Sequence, residues 1–219
     1  MERLVSRYPD LLLETCAGGG GRFDAGMLYY SPQIWTSDDT DAFERVRIQY
    51  GTSFGYPVSC MGSHVSVCPN HQTGRITPFE TRGVVASAGT FGYELDLEKL
   101  TPEEKDLARQ QILDYKAKEH IIQNGDYYRL TNPYDNREYA AWMFISKDKT
   151  EAIVNGVVLH SEPNSRIHIL HLRGLDENLH YKEEKTGRVY TGAALMRAGI
   201  PLPVEMGDYR PIVFNFKAV

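Results

Sequence analysis

The sequence is short of cysteine, of long apolar runs and of clustered positive charge, and each shortage excludes a class of protein. Its 219 residues include three cysteines, an odd count without the spacing of a disulfide-stapled secreted domain. No run of about 18 apolar residues occurs that would span a membrane. With 24 basic and 29 acidic residues the net charge is -5, and no basic block marks a nucleic-acid surface.

These shortages predict a protein of a reducing compartment, which we place in the cytoplasm. The amino terminus carries charges but lacks the apolar core of an export signal. We therefore expect a soluble chain with neither a membrane nor a nucleic acid as partner. Its length suffices for one or two domains with apolar cores.

Most of the chemistry that the sequence indicates follows two short apolar segments. Residues 11–13 predict a buried strand, and residues 34–35 predict a second one. Polar or flexible residues follow each segment, at 14–21 and at 36–39. Because the sites of α/β proteins gather at the carboxyl ends of parallel strands, we expect these two stretches to lie together.

The four consecutive glycines at residues 18–21 invite a dinucleotide-binding interpretation, which their spacing excludes. A G-x-G-x-x-G motif would need glycine in place of Phe23 or Asp24, and no Walker lysine follows. The glycines instead let a ligand approach the backbone N–H groups, or they form a tight turn without a ligand.

Strand and helix signals alternate over residues 1–123 and then give way to strand signals alone. Asp41 predicts the cap of one helix, and Thr101 with Glu104 predicts the capping box of another that stops at residues 124–125. Residues 56–61 predict a third strand, 63–77 a loop and 79–89 a helix. Short runs between turns then predict an antiparallel β-sandwich, at 140–145, 151–154, 167–172 and 212–216. We expect two domains, 1–125 and 126–219.

The alternation is the pattern of a (β/α)8 TIM barrel, which takes roughly 250 residues and eight strands. Residues 1–123 have half that length and about three strands, so they cannot close a barrel alone. The predicted fold is therefore α/β: the C-terminal part of a TIM barrel followed by an antiparallel β-sandwich domain. The chain would be one piece of a larger enzyme.

Five motifs occur in order between about residues 8 and 128, namely ETCAGGGGRFD, MLYYSPQIWTSDDTDAFER, GTSFGYP, MGSHVS and PNHQTGR. This ordered set resembles the carboxyl-terminal part of α-galactosidases of glycoside hydrolase family 36. The resemblance implies a retaining glycosidase that removes terminal α-linked galactose from melibiose- and raffinose-type sugars without a cofactor. Relatives in this family are commonly tetramers, so it also implies a homo-oligomer for the full-length enzyme.

By the same resemblance Asp38 is the general acid/base, and Cys16, Ala17, Gly18 and Gly19 line the galactose subsite. The family more often has serine where this chain has Ala17. Retaining hydrolysis needs two carboxylates about 5 to 5.5 Å apart. In the family the nucleophile is an aspartate of a K-W-D type motif on an earlier strand, and that motif is absent here. We therefore expect the isolated chain to be inactive.

Three alternatives stay open at this point. Cys60, His64, Cys68 and His71, at spacings of four, four and three, resemble a zinc site, although the apolar residues between them favour strand and buried loop without a metal. Asp38 would otherwise be a capping or hydrogen-bonded loop acid. The whole chain would otherwise be a non-catalytic galactoside-binding or accessory fragment, or have no function apart from its missing half.

Overall fold

The first part of the chain forms a parallel sheet whose four strands follow one another in chain order. The computed structural model describes residues 1–16, 23–164, 166–203 and 207–219. The strands are β1 (Glu14–Cys16), β2 (Gln33–Trp35), β3 (Met61–Ser66) and β4 (Thr90–Glu94).

In the described residues four helices accompany this sheet, and two of them lie between successive strands. They are α1 (Glu2–Arg7), α2 (Ala42–Thr52), α3 (Phe79–Ala86) and α4 (Pro102–Asn124), with 3₁₀ turns at Ala25–Tyr29, Val58–Cys60 and Leu97–Lys99. Asp41 caps α2 by accepting the N–H of Phe43 (3.0 Å), as its sequence position predicts. The predicted capping box of Thr101 and Glu104 is confirmed at the start of α4. Among the described residues, no helix combines the length and the apolar composition needed to cross a membrane.

The second part of the chain is built on a six-stranded antiparallel sheet with the order β10-β9-β12-β7-β6-β5. Its strands are β5 (Asp126–Arg129), β6 (Tyr139–Ile145), β7 (Glu151–Val158), β9 (His180–Glu183), β10 (Val189–Thr191) and β12 (Arg210–Ala218). A separate antiparallel pair, β8 (Ile169–Leu170) and β11 (Ile200–Pro201), and the helix α5 (Gly192–Arg197) complete this part.

Two neighbouring strands of the antiparallel sheet, β6 and β7, are buried on both faces. Because side chains alternate along a strand, Trp142 and Phe144 of β6 pack into a core shared with α2, α3 and α4. Met143 and Ile145 of the same strand pack into a second core shared with β12, the β8–β11 pair and α5. The antiparallel sheet is therefore the middle layer that joins the two parts of the chain.

In the described part of the chain, the parallel sheet is in contrast covered on one face only. Ile34, Met61 and Val65 are at most 1% exposed on the helix side. The opposite face carries mostly half-buried or exposed residues, and we call it the open face: Glu14, Gln33, Trp35, Gly62, His64, Gly92 and Glu94. Parallel sheets ordinarily have both faces covered, so this face lacks the layer that such sheets require.

The predicted first strand is displaced by three residues. Residues 11–13 have no regular structure and Leu12 is 85% exposed, whereas β1 starts at Glu14. In the described part of the chain β1 pairs only with β2, whose first residue, Gln33, lies opposite Glu14. The position of β1 therefore follows from where its partner begins rather than from its own apolar residues.

The next two strands also differ from the prediction. The structure places β3 at Met61–Ser66, where the sequence predicts mostly loop, and forms β4 where it predicts no strand. Ser63 interrupts the apolar face of β3, and β4 has only two apolar residues, Phe91 and Tyr93, so neither strand shows an apolar alternation long enough to identify it. Tyr56 is buried just ahead of a 3₁₀ turn rather than in the predicted strand.

The antiparallel character of the second part is confirmed, but two comparable sheets do not occur in the described residues. The layer over the second core consists of the short β8–β11 pair and α5. Three strands that the sequence did not predict, β5, β9 and β10, extend the single sheet instead.

Replacing Thr101 tests how much its capping box stabilises α4. We expect Thr101→Ala to lower the free energy of unfolding by about 1 kcal/mol, because the N–H of Glu104 loses its side-chain acceptor. Thr101→Ser keeps the hydroxyl and is the control. Urea denaturation of both variants measures the difference, and equal stability of Thr101→Ala and Thr101→Ser would contradict the assignment.

Candidate active site

The carboxyl ends of β1 and β2 lie side by side, as the sequence predicts. In the strand register Cys16 lies opposite Trp35, and Trp35 lies opposite Gly62 of β3. The chain therefore leaves both strands at the same level of the sheet. Cys16 is exposed at this edge. The other predicted subsite residues, Ala17, Gly18 and Gly19, lie outside the described residues.

Asp38 follows β2 and is held by the indole of Trp35. The indole Nε1 donates a hydrogen bond to Oδ1 of Asp38 (3.1 Å), and the aspartate is exposed. The two acidic neighbours have local roles: Asp39 accepts the backbone N–H of Asp41 (3.0 Å), and Asp41 caps α2. The helix cap is thus Asp41 rather than Asp38.

A buried arginine on α2 ties the segment that follows β2 to the sheet. The side chain of Arg45, 3% exposed, donates to the carbonyl oxygens of Ser37 (2.9 Å) and Gly62 (2.7 Å). Its guanidinium also lies 5.0 Å from the centre of the Trp35 ring. Burial lowers the pKa of Arg45 to about 10, an effect that Glu94 and Asp39 partly oppose. The group stays charged at neutral pH, so these hydrogen bonds are charge-assisted.

A second contact to the same segment comes from the chain between β3 and α3. The Nε2 of Gln72 donates to the carbonyl oxygen of Asp38 (3.0 Å), and its Oε1 accepts the N–H of Thr40 (3.1 Å). One carboxamide thus binds the backbone on both sides of Asp39. Asp38 is therefore held through its side chain by Trp35 and through its backbone by Gln72.

The open face beside Trp35 carries a cluster of polar side chains that contact one another or the indole. Gln33 donates to the carboxylate of Glu14, and the ring of His64 lies 4.8 Å from that of Trp35. A Cβ at Gly92 would lie 2.7 Å from Cδ2 of His64, so the glycine provides the space that the imidazole occupies. Burial lowers the pKa of His64, and the carboxylates of Glu94 and Glu14 partly oppose this effect.

The alternative zinc site is not assembled. His64 faces the indole of Trp35, while the thiol of Cys68 lies 3.6 Å from the carbonyl oxygen of Thr77. His71 is exposed on the segment between β3 and α3. Within the described ranges, no three His, Cys, Asp or Glu side chains form a group that could hold a metal ion.

Three residues of this site were not anticipated from the sequence: Arg45, Gln72 and Glu94. Arg45 stands among other charged residues of an ordinary helix, and Gln72 lies in a predicted loop. Glu94 ends a strand that the sequence did not predict. No local pattern marks them, because their partners lie elsewhere in the chain.

Two family models match the chain. The model described as melibiase matches residues 1–125, and the model described as the glycosyl hydrolase family 36 C-terminal domain matches residues 139–216. The bifunctional α-galactosidase/sucrose kinase AgaSK of Mediterraneibacter gnavus is 60% identical over 216 residues, which cover 99% of this chain and 23% of that protein. The α-galactosidase AgaA of Geobacillus stearothermophilus is 51% identical over 219 residues, which cover all of this chain and 30% of that protein.

Solved structures agree with these matches. The galactosidase domain of AgaSK superposes with a TM-score of 0.96 at 59% identity and covers 100% of this chain and 30% of its own. A variant of the family 36 α-galactosidase AgaA in complex with raffinose superposes with a TM-score of 0.96 at 49% identity, with the same coverage. The chain thus spans 23 to 30% of the length of the relatives described here.

The lowered pKa of His64 predicts a pH dependence of stability. As the pH falls below 6.5, the unfolded chain binds a proton at this residue before the folded chain does, so the free energy of unfolding decreases. We expect His64→Gln to remove this contribution and flatten the decrease. Thermal unfolding between about pH 8 and about pH 5 measures it.

His120→Gln is the matched control, because His120 is an exposed histidine on α4. A flattening of the same size in His120→Gln, or an unchanged slope in His64→Gln, would contradict the prediction.

Proposed function

Because this chain belongs to glycoside hydrolase family 36, we propose that it is the carboxyl-terminal part of an α-galactosidase. Such an enzyme hydrolyses terminal non-reducing α-D-galactose residues from galacto-oligosaccharides of the melibiose and raffinose type. Relatives that match the whole chain are α-galactosidases, and one was solved with raffinose. The observation that carries the proposal is the hydrogen bond from the Trp35 indole to Asp38, because Trp35 lies opposite Cys16 at the end of β1.

The proposed fold of residues 1–125 is the last part of a (β/α)8 barrel, followed by a C-terminal domain at 126–219. Strands in chain order with helices on one face are typical of such a barrel. In the described part of the chain β1 and β4 are edge strands, and the open face would line the barrel interior. The preceding part of the enzyme would pair with these edges, which otherwise expose unpaired backbone groups.

The proposed mechanism uses two carboxylates, of which this chain supplies one. Asp38 protonates the glycosidic oxygen as the bond to galactose breaks, and a nucleophilic carboxylate on another part of the enzyme takes the sugar. Asp38 then accepts a proton from the water that releases it. The Trp35 indole binds Oδ1, which leaves Oδ2 for the substrate. Cys16, Ala17, Gly18 and Gly19 are proposed to line the galactose subsite.

We propose that the full-length enzyme is a cytoplasmic homo-oligomer whose substrate is an α-galactoside oligosaccharide. Cys16, Cys60 and Cys68 form no disulfide bond with each other in the described residues, which suits a reducing compartment.

An incomplete site favours one alternative function. Since the chain has no K-W-D type nucleophile motif, it would bind a galactoside without cleaving it, as an accessory fragment. Saturable binding of galactose to the isolated chain, measured by calorimetry without turnover, would support this alternative.

The isolated chain is expected to show no galactosidase turnover, because one carboxylate cannot both protonate the leaving group and take the sugar. Release of nitrophenol from an aryl α-galactoside measures it. Cleavage by the isolated chain that is lost in Asp38→Asn would contradict this expectation.

Joining the chain to the preceding part of AgaSK gives what we call the completed enzyme, which is expected to cleave raffinose. There Asp38→Asn should lower kcat/KM for raffinose by about 10²- to 10⁴-fold, because the leaving oxygen must be protonated. For 2,4-dinitrophenyl α-galactoside, whose leaving group departs without a proton, kcat/KM should fall far less.

Asp39→Asn is the matched control, since its amide oxygen still accepts the N–H of Asp41. Raffinose cleavage that survives in Asp38→Asn, or an equal loss in Asp39→Asn, would refute the role of Asp38.

A further inference from the structure

The backbone around Asp38 is bound by a side chain from the next strand-to-helix connection. Gln72 lies 34 residues further along the chain, yet its carboxamide spans Asp39 by binding the carbonyl oxygen of Asp38 and the N–H of Thr40. A carboxamide offers one donor and one acceptor side by side, which matches these two backbone groups.

We propose that Gln72 is a positioning residue for the general acid/base Asp38, a role that rests on the function proposed above. By fixing the carbonyl of Asp38 and the amide of Thr40, it fixes the peptide planes on either side of the intervening residue. The Asp38 Cα lies between the plane that carries its own carbonyl, which Gln72 binds, and the preceding plane, whose Ser37 carbonyl Arg45 binds, so these two contacts together set the direction of the Asp38 Cα–Cβ bond. Gln72 thereby sets where the carboxylate meets the glycosidic oxygen.

Gln72 is itself held in place before any ligand arrives. The side chain of Asn70, 6% exposed, accepts the N–H of Gln72 (2.9 Å) and donates to the hydroxyl of Thr40 (3.2 Å). A backbone hydrogen bond from Asn70 to the carbonyl of Arg75 (2.9 Å) closes the turn that presents Gln72. The side chain therefore reaches Asp38 from a structured turn, which reduces the entropic cost of the contact.

The other side of the same segment is bound independently. Arg45 holds the carbonyl of Ser37, and Trp35 holds the Asp38 carboxylate. Loss of Gln72 would leave these contacts intact and release only the carbonyl oxygen of Asp38 and the N–H of Thr40. The expected defect is thus a displaced acid rather than an unfolded site.

The first experiment measures the contact in the chain itself. In Gln72→Ala the N–H of Thr40 loses its acceptor, so its hydrogen–deuterium exchange should become faster, while exchange in β6 and β7 stays unchanged. Gln110→Ala is the matched control, because Gln110 is an exposed glutamine on α4 that contacts Asp114. Unchanged exchange at Thr40 in Gln72→Ala would overturn the proposal.

The second experiment measures the consequence in the completed enzyme. A misplaced acid should lower kcat/KM for raffinose by about 10- to 100-fold in Gln72→Ala, and by about twofold or less for 2,4-dinitrophenyl α-galactoside. Gln72→Glu keeps the acceptor for Thr40 but loses the donor for Asp38, so it should show the same selective loss. Gln110→Ala should behave as the unmodified enzyme with both substrates.

The two substrates separate the possible outcomes. An equal loss on both would mean that Gln72 supports the fold or sugar binding, which would overturn the positioning role. No loss on raffinose would overturn it as well. A completed enzyme that cleaves neither substrate before any substitution would instead refute the proposed function, and the positioning role with it.

Discussion

Burial of the antiparallel sheet on both faces is the constraint on which the rest of the structure depends. Because β6 and β7 have no face in water, they fix α2, α3 and α4 on one side and the β8–β11 pair with α5 on the other. The arginine that anchors the segment after β2 projects from α2, so its position follows from this packing. The geometry around Asp38 thus depends on the packing of an apolar core that contains no candidate catalytic residue.

The parallel sheet shows the opposite arrangement, with one covered face and one open polar face. Burying Glu14, His64 and Glu94 away from water would cost free energy unless their polar atoms formed hydrogen bonds or ion pairs with the covering layer. In the proposed enzyme the missing strands supply those partners and turn a half-solvated surface into the lining of a closed cylinder. In that proposal this chain forms one wall of the site, and the side chains of this wall already contact each other.

Signals that involve a few neighbouring residues predicted the structure well, and signals that depend on distant partners did not. The caps at Asp41 and Thr101 needed only three or four residues of sequence. By contrast β3 has a serine on its covered face and β4 has only two apolar residues, so their apolar alternation is too short to identify them as strands. At the proposed site, the roles that the resemblance implies for Asp38 and Cys16 stay predictions, while Arg45 and Gln72 bind carbonyls 8 to 34 residues away, which no local pattern encodes.

The connection between β3 and α3 looks like an ordinary surface loop, since residues 71–74 are exposed. Its contacts nevertheless fix it to the segment that follows β2. Asn70 and Gln72 reach back to Thr40 and Asp38, and Arg75 pairs with the buried Asp41. Each contact requires a fixed number of residues between the strand and its partner, so an insertion here would pull several anchors out of reach at once. In the proposed barrel, this connection would therefore not tolerate the loop insertions by which (β/α)8 enzymes acquire new substrates.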